Sequence, residues 1–92
     1  MFNNIDKKFE KIGFIKVRED KYGAVYERKV EDFNYTQVLA ILLKANGLHI
    51  VQSYDKDLMD VKKIGNVCVG LSPYEIKLIL KKIKQLRYHK TK

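Results

Sequence analysis

Three aspartates are the first candidates for chemistry in this chain. Asp55, Asp57 and Asp60 follow the spacing Asp-x-Asp-x-x-Asp, and carboxylate oxygens are the ligands that hard cations prefer. The segment lacks the glycine and the bidentate glutamate of an EF-hand loop, and Lys56 lies inside it. The sequence therefore predicts a polar loop at this point and no metal site.

The cysteine and the two histidines are the remaining candidates for nucleophilic or acid–base chemistry. Cys68 lies between two valines, which is typical of a small buried hydrophobic residue. We expect His49 on the solvent side of a strand. His89 falls in a terminal tail, where nothing fixes an imidazole for proton transfer. One Cys and two His cannot complete a zinc finger, and a single thiol cannot form an internal disulfide.

The motifs of common cofactor sites are also missing. The chain has no Gly-x-Gly-x-x-Gly, no phosphate-binding Gly-Lys-Ser/Thr and no Gly-x-Ser-x-Gly. We therefore expect no catalytic residue, no metal and no cofactor, and a protein that is not an enzyme.

Basic residues near the carboxyl end are the strongest functional signal. The 92 residues carry a net charge of +8. Residues 73–92 hold seven basic residues against Glu75 alone, a net charge of +6. Such a localised charge favours an anionic partner, above all a nucleic-acid backbone, although a solvated lysine face is the alternative. The predicted nucleic-acid-binding residues are Lys77, Lys81, Lys82, Lys84 and Arg87.

The elements that must position these residues follow from periodicity. The spacing of Ile5, Phe9 and Ile12 predicts a helix over 4–12 that Gly13 ends. Residues 14–19 and 24–32 read as a hairpin of two strands joined by a tight turn at 20–23. Ser72-Pro73-Tyr74-Glu75 has the residues of a capping box with proline at the first helical position. It predicts a last helix running to about Tyr88.

The middle of the chain is harder to assign. Periodicity does not separate strand from helix over 36–44, but the frequent Val and Ile and the Asn46-Gly47 pair favour a strand and a type I′ turn. A strand over 48–54 follows, and 67–69 are a candidate edge strand.

The predicted fold is a single α+β domain over 1–92. An antiparallel sheet of four strands, or five with 67–69, has the two terminal helices packed on one face, and 89–92 form a frayed basic tail. The buried face of the last helix is predicted to carry the following residues: Ile76, Ile79, Leu80, Ile83 and Leu86.

Two resemblances bear on function. The segment 9–14, a tyrosine-containing hairpin and the capped helix with Lys81-Lys82-Ile83-Lys84-Gln85-Leu86 resemble small proteins of unassigned function from phages, prophages and plasmids of Gram-positive bacteria. This resemblance implies a mobile-element accessory protein and assigns no chemistry.

The order helix, antiparallel strands, basic helix is similar in topology to double-stranded RNA-binding domains, whose last helix meets phosphates through lysines at its start. Here the Lys81-Lys82-Ile83-Lys84 run lies in the middle of the helix, and the Gly-Pro-x-His loop of that family is absent. The similarity is therefore an analogy of topology.

Two functions follow as hypotheses. The first is a non-enzymatic module that docks on a nucleic-acid backbone through the last helix. The second is a protein-interaction module, either an inhibitor of a host protein or a homodimer that forms through a sheet edge. No apolar run approaches the roughly 20 residues of a membrane span, and no signal peptide is visible. We expect a cytoplasmic protein with no membrane partner.

Overall fold

A computed structural model of the chain describes residues 4–56 and 69–90, with side chains as far as Arg87 in the last helix. The elements within these residues are α1 (Ile5–Lys11), β1 (Ile15–Asp20), β2 (Gly23–Val30), a 3-10 turn (Glu31–Phe33), β3 (Tyr35–Leu42), β4 (Ile50–Asp55) and α2 (Pro73–Lys90). The strands form one antiparallel sheet in the order β1-β2-β3-β4. The predicted α+β class with an antiparallel four-stranded sheet and two terminal helices is confirmed. No helix in the described part of the chain has the length and apolarity to cross a bilayer.

The first hairpin forms where the sequence predicted it. The Tyr22 N–H donates to the Asp20 carboxylate at 2.8 Å, which closes the turn between β1 and β2. Gly23 has φ +146°, and a Cβ there would lie 1.9 Å from the Ile41 carbonyl oxygen. Glycine is therefore required at this position, because β2 and β3 approach each other too closely for any side chain.

The ambiguous stretch over 36–44 is largely strand, as favoured. β3 lies in the centre of the sheet, and Gln37 through Ile41 are buried on both faces. Burial on both faces explains its continuous apolar run, which lacks the alternation of a half-exposed strand.

The predicted type I′ turn at Asn46-Gly47 is wrong. Residues 43–49 form a longer connection, and β4 begins at Ile50. Among the described residues only Asn34 is a non-glycine with positive φ, so Asn46 does not adopt the left-handed conformation. The Asn46 side chain instead accepts the Leu48 N–H at 3.0 Å, and this local hydrogen bond competes with the tight hairpin turn.

Both helices pack on one face of the sheet. Tyr26 of β2 stacks on Phe9 of α1 with ring centroids 4.4 Å apart, and Leu39 and Ile41 lie on the same face. The core cluster is completed by apolar residues from both helices and the strand entries: Ile5, Phe14, Ala24, Leu43, Leu78, Ile79 and Leu86.

Neither α1 nor α2 packs on the other face of the sheet, which we call the open face. The register places Arg18 and Lys29 on this open face, whereas Lys16 and Arg28 lie on the covered face. At the β4 edge the Val69 N–H donates to the Ser53 carbonyl at 2.9 Å. The candidate edge strand over 67–69 otherwise lies outside the described residues.

Candidate nucleic-acid interface

The start of α2 is fixed by its predicted capping box. The Glu75 N–H donates to the Ser72 hydroxyl at 3.2 Å, and the Ser72 N–H donates to the Glu75 carboxylate at 2.9 Å. Pro73 begins the helix, where its missing N–H costs nothing. The second carboxylate oxygen of Glu75 pairs with Arg28 at 2.9 Å. The first turn of α2 is therefore held to β2.

Arg28 extends this connection across the sheet. Its guanidinium lies over the Phe14 ring at 4.2 Å and donates to the Ile12 carbonyl and to the Gln37 side chain at 3.1 and 2.7 Å. The Gln37 amide donates in turn to the Ser53 hydroxyl at 2.8 Å. Glu75, the one acidic residue of α2, is therefore paired inside the molecule. The network that it joins links α2 to β2, β3 and β4.

Lys82 does not lie on the surface where the sequence placed it. It is 0% exposed, and its ammonium donates to Asp6 at 3.1 Å and to Glu19 at 2.7 Å. These partners lie on α1 and β1, 76 and 63 residues away in sequence. Lys82 is therefore removed from the predicted nucleic-acid-binding set, because a buried, doubly paired ammonium cannot contact an external phosphate.

We call the group formed by Asp6, Lys16, Glu19, Tyr26 and Lys82 the Asp6 cluster. Lys16 donates to Asp6 at 2.9 Å and to Glu19 at 3.1 Å, and the Tyr26 hydroxyl donates to Asp6 at 2.6 Å. Two cations thus face two carboxylates around one hydroxyl. The cluster joins α1, β1, β2 and α2, and its role is structural, because paired charges inside a fold hold their elements in one arrangement.

The Asp6 cluster perturbs the pKa of its members. Burial alone would raise the pKa of Asp6, but the hydrogen bonds from Tyr26, Lys16 and Lys82 outweigh it and lower the pKa from 3.8 to about 2. The pKa of Glu19 is also lowered, since Lys82 and Lys16 outweigh the effect of burial. Burial and the bond to Asp6 raise the pKa of the Tyr26 hydroxyl. Both carboxylates are therefore ionised at neutral pH.

Four further basic residues among the described side chains of α2 lie on the outer side of the helix. Lys77, Lys84 and Arg87 are exposed, and Lys81 is half-buried. We call these four residues the α2 cation row. Helix geometry spaces Lys77 and Arg87 about 15 Å apart along the axis. Glu75 faces the other way, so no acidic residue of α2 lies among them. The row is therefore a surface of one charge sign.

The buried face of α2 differs from the predicted one. Ile79 and Leu86 are buried and Ile83 is partly buried, as expected, but Ile76 is 45% and Leu80 58% exposed. The face that meets the sheet is formed instead by the following residues: Glu75, Leu78, Ile79, Lys82, Ile83 and Leu86. Glu75 and Lys82 occupy buried positions because each pairs with an oppositely charged side chain on another element. With these two residues inside, Ile76 and Leu80 face outward.

The other candidates do not gather into a site. His49 lies in the connection before β4, where its Nδ1 accepts the Lys44 N–H at 3.0 Å, so it holds a loop and does not project from a strand. Asp55 ends β4, while Asp57, Asp60 and Cys68 lie outside the described residues. Within the described ranges 4–56 and 69–90, no three His, Cys, Asp or Glu side chains are placed to hold a metal.

Comparisons of the chain with protein-family models, with curated proteins and with solved structures found no match. The functional interpretation therefore depends on the geometry of the α2 cation row.

Proposed function

We propose that this protein is a non-enzymatic module that docks on a nucleic-acid backbone through the α2 cation row, formed by Lys77, Lys81, Lys84 and Arg87. The observation that supports it is the separation of charge on α2. Its acid is buried against Arg28, whereas these basic residues stay on the outer side. Phosphates bind such a row through direct ionic contacts and release of counterions.

The rigidity of the helix supports the same proposal. The capping box and the Glu75–Arg28 pair fix its first turn, and Lys82 fixes its middle in the Asp6 cluster. The cation row is therefore presented on a preorganised helix, which reduces the ordering cost of binding. A solvated lysine face would need no such support.

The test compares two variants of equal charge. Lys77→Gln, Lys81→Gln and Lys84→Gln are combined in one variant, and the matched control combines Lys21→Gln, Lys29→Gln and Lys44→Gln, which lie outside both helices. Fluorescence anisotropy with labelled duplex and single-stranded probes should show a loss of affinity of tenfold or more for the first variant. The control should lose only a few-fold, through its lower net charge. Equal losses would contradict the proposal.

The open sheet face supports a second candidate, a homodimer. Ile15 and Val17 of β1 are 67% and 56% exposed, and Ile50 of β4 is 41% exposed. The charges beside them have both signs, with Lys29 and Glu27 lying on the same face. A second copy can therefore approach this face without the repulsion that a net charge of +8 would otherwise cause.

The predicted sheet-edge dimer is less favoured than this face. β1 carries a register shift between Lys16 and Arg18, and irregular, highly charged edge strands resist pairing.

Light scattering at rising concentration tests whether two chains associate through the open face. The wild-type chain should dimerise and Val17→Glu should stay monomeric. A wild-type monomer up to millimolar concentration would exclude the homodimer. We also propose, on the resemblance alone, that the protein is an accessory product of a mobile element.

A further inference from the structure

An open groove lies on the open face, near the end of β2. It has a volume of about 510 Å³. Its lining includes the apolar residues Ile15 and Val17 and the charged residues Glu27, Lys29 and Glu31. Both apolar residues are more than half exposed. A concave site with exposed apolar residues and a few charged groups is typical of a surface that receives a partner's side chain.

The 3-10 turn that borders this groove carries an aromatic residue in solvent. Phe33 is 78% exposed, the highest value among the large hydrophobic residues that the structure describes. The turn begins at Glu31, which lines the groove, and the Asn34 N–H closes it by donating to the Glu31 carbonyl at 3.2 Å. Asn34 has φ 53°, a left-handed conformation that asparagine adopts more readily than most residues. The backbone therefore holds an exposed ring on a turn beside an apolar groove.

We infer that two copies of the chain dock reciprocally, with Phe33 of each copy in the groove of the other. This inference deepens the second candidate of the proposed function, the homodimer through the open face, and rests on it. A two-fold interface brings the same patch of both copies together, so a protruding residue and a groove that adjoin on one chain meet their counterparts at the same time. Aromatic anchors that fill a pocket on the partner carry much of the binding energy in such interfaces.

The charges around the groove favour a second copy as the occupant. Glu31 and Asp32 are exposed on the turn, and Lys29 is exposed in the lining of the groove. Within the ranges that the structure describes, these three side chains form no ion pair, whereas Glu27 is paired with Lys56 at 3.2 Å. Reciprocal docking brings the acidic turn of each copy to Lys29 of the other. The contact therefore pairs opposite charges in a chain whose net charge of +8 otherwise opposes association.

The area of the ring indicates how much of the interface Phe33 supplies. A phenylalanine side chain buries about 150–250 Å², so two rings supply about 300–500 Å² of an interface that needs about 1,200 Å² or more. Exposed residues of the open face, including Ile15 and Val17, add apolar area around the rings. Phe33 is therefore an anchor of the interface and its removal should weaken the dimer strongly.

The experiment compares the removal of two exposed aromatic rings. Phe33→Ser removes the ring of the 3-10 turn, and the matched control Tyr22→Ser removes a 61% exposed ring from the β1–β2 turn, at the other end of β2. Sedimentation equilibrium at rising concentration should show a dimer for the wild-type chain and for the control. The dissociation constant of Phe33→Ser should be about tenfold higher or more. Circular dichroism checks that both variants keep the fold.

A charge swap tests the contact of Lys29 separately. Lys29→Glu adds a third acid to the groove and should weaken the dimer. Adding Glu31→Lys and Asp32→Lys to the same chain should restore most of the affinity, since each copy then carries both altered halves of the contact. Weakening without restoration would overturn the reciprocal docking.

Failure of this inference is distinct from failure of the proposed homodimer. If Val17→Glu is monomeric while Phe33→Ser dimerises as well as Tyr22→Ser, the open-face dimer stands and the docking of Phe33 is wrong. A wild-type monomer would overturn both. Species larger than a dimer would overturn the reciprocal geometry, because a head-to-tail contact does not close at two copies.

Discussion

Replacing Lys82 by methionine tests how much the buried ammonium of the Asp6 cluster contributes to the stability of the fold. Methionine keeps most of the apolar stem in place, so the variant removes the ammonium and its bonds to Asp6 and Glu19 at 3.1 and 2.7 Å. Removing one partner of a buried ion pair costs about 3–5 kcal/mol of unfolding free energy. Here the loss is smaller, because Lys16 still faces both carboxylates and their side chains are about one third exposed. We expect about 2–3 kcal/mol.

Urea unfolding followed by circular dichroism measures this loss. A destabilisation of that size lowers the melting temperature of a chain of this length by about 10–20 °C. The control is Lys81→Met on the outer side of α2, where a surface substitution changes stability by about 0.5 kcal/mol or less. A folded Lys82→Met variant should also retain duplex affinity, whereas Lys81→Met should lose some. The reasoning would be refuted if the two variants had equal stability, or if Lys82→Met lost more affinity than Lys81→Met.

Two further predictions concern acid stability and the first hairpin. The pKa of the Asp6 carboxyl is about 2 in the folded chain, against an ordinary value of 3.8. The ionised carboxylate therefore stabilises the fold above pH 4, and this contribution, at most about 2 kcal/mol, is lost as the pH falls toward 2. The lowered pKa of Glu19 adds a loss of the same sign. Urea titrations between pH 6 and 2 should show this fall, and Lys82→Met should show a shallower one. Gly23→Ala places a Cβ against the Ile41 carbonyl and should cost about 2 kcal/mol or more. The control, Gly47→Ala, has φ +83° with no atom within 4 Å, so it should cost only about 1 kcal/mol, and equal losses would contradict the steric argument.

Local sequence signals predicted most of the fold. The spacing of Ile5 and Phe9 identified α1 and its buried side, and Ser72 with Glu75 identified the start of α2 to the residue. These signals succeed because the interactions behind them lie within one helical turn.

The buried face of α2 was not predictable in the same way. Apolar periodicity favoured Ile76 and Leu80, but the fold buries Glu75 and Lys82 and exposes both aliphatic residues. A charge enters a core position only when its counter-ions are supplied, and Asp6 and Arg28 come from distant parts of the chain. No local pattern could show that these partners converge.

The candidate site was therefore predicted in part. Of the predicted nucleic-acid-binding residues, Lys77, Lys84 and Arg87 are exposed and Lys81 is half-buried. Lys82 was assigned with them because it adjoins Lys81 in a basic run, although it lies about 100° away around the helix.

The salt dependence of duplex binding tests the central claim most directly. Wild-type affinity is measured by anisotropy at five or more salt concentrations, beside the Lys77/Lys81/Lys84 variant and the Lys21/Lys29/Lys44 control. If the α2 cation row contacts phosphates, the logarithm of affinity falls steeply with the logarithm of salt, and the slope of the first variant is shallower by about 3. The control should keep the wild-type slope. A wild-type chain that does not bind a duplex at low salt, or equal slopes for all three proteins, would contradict the account.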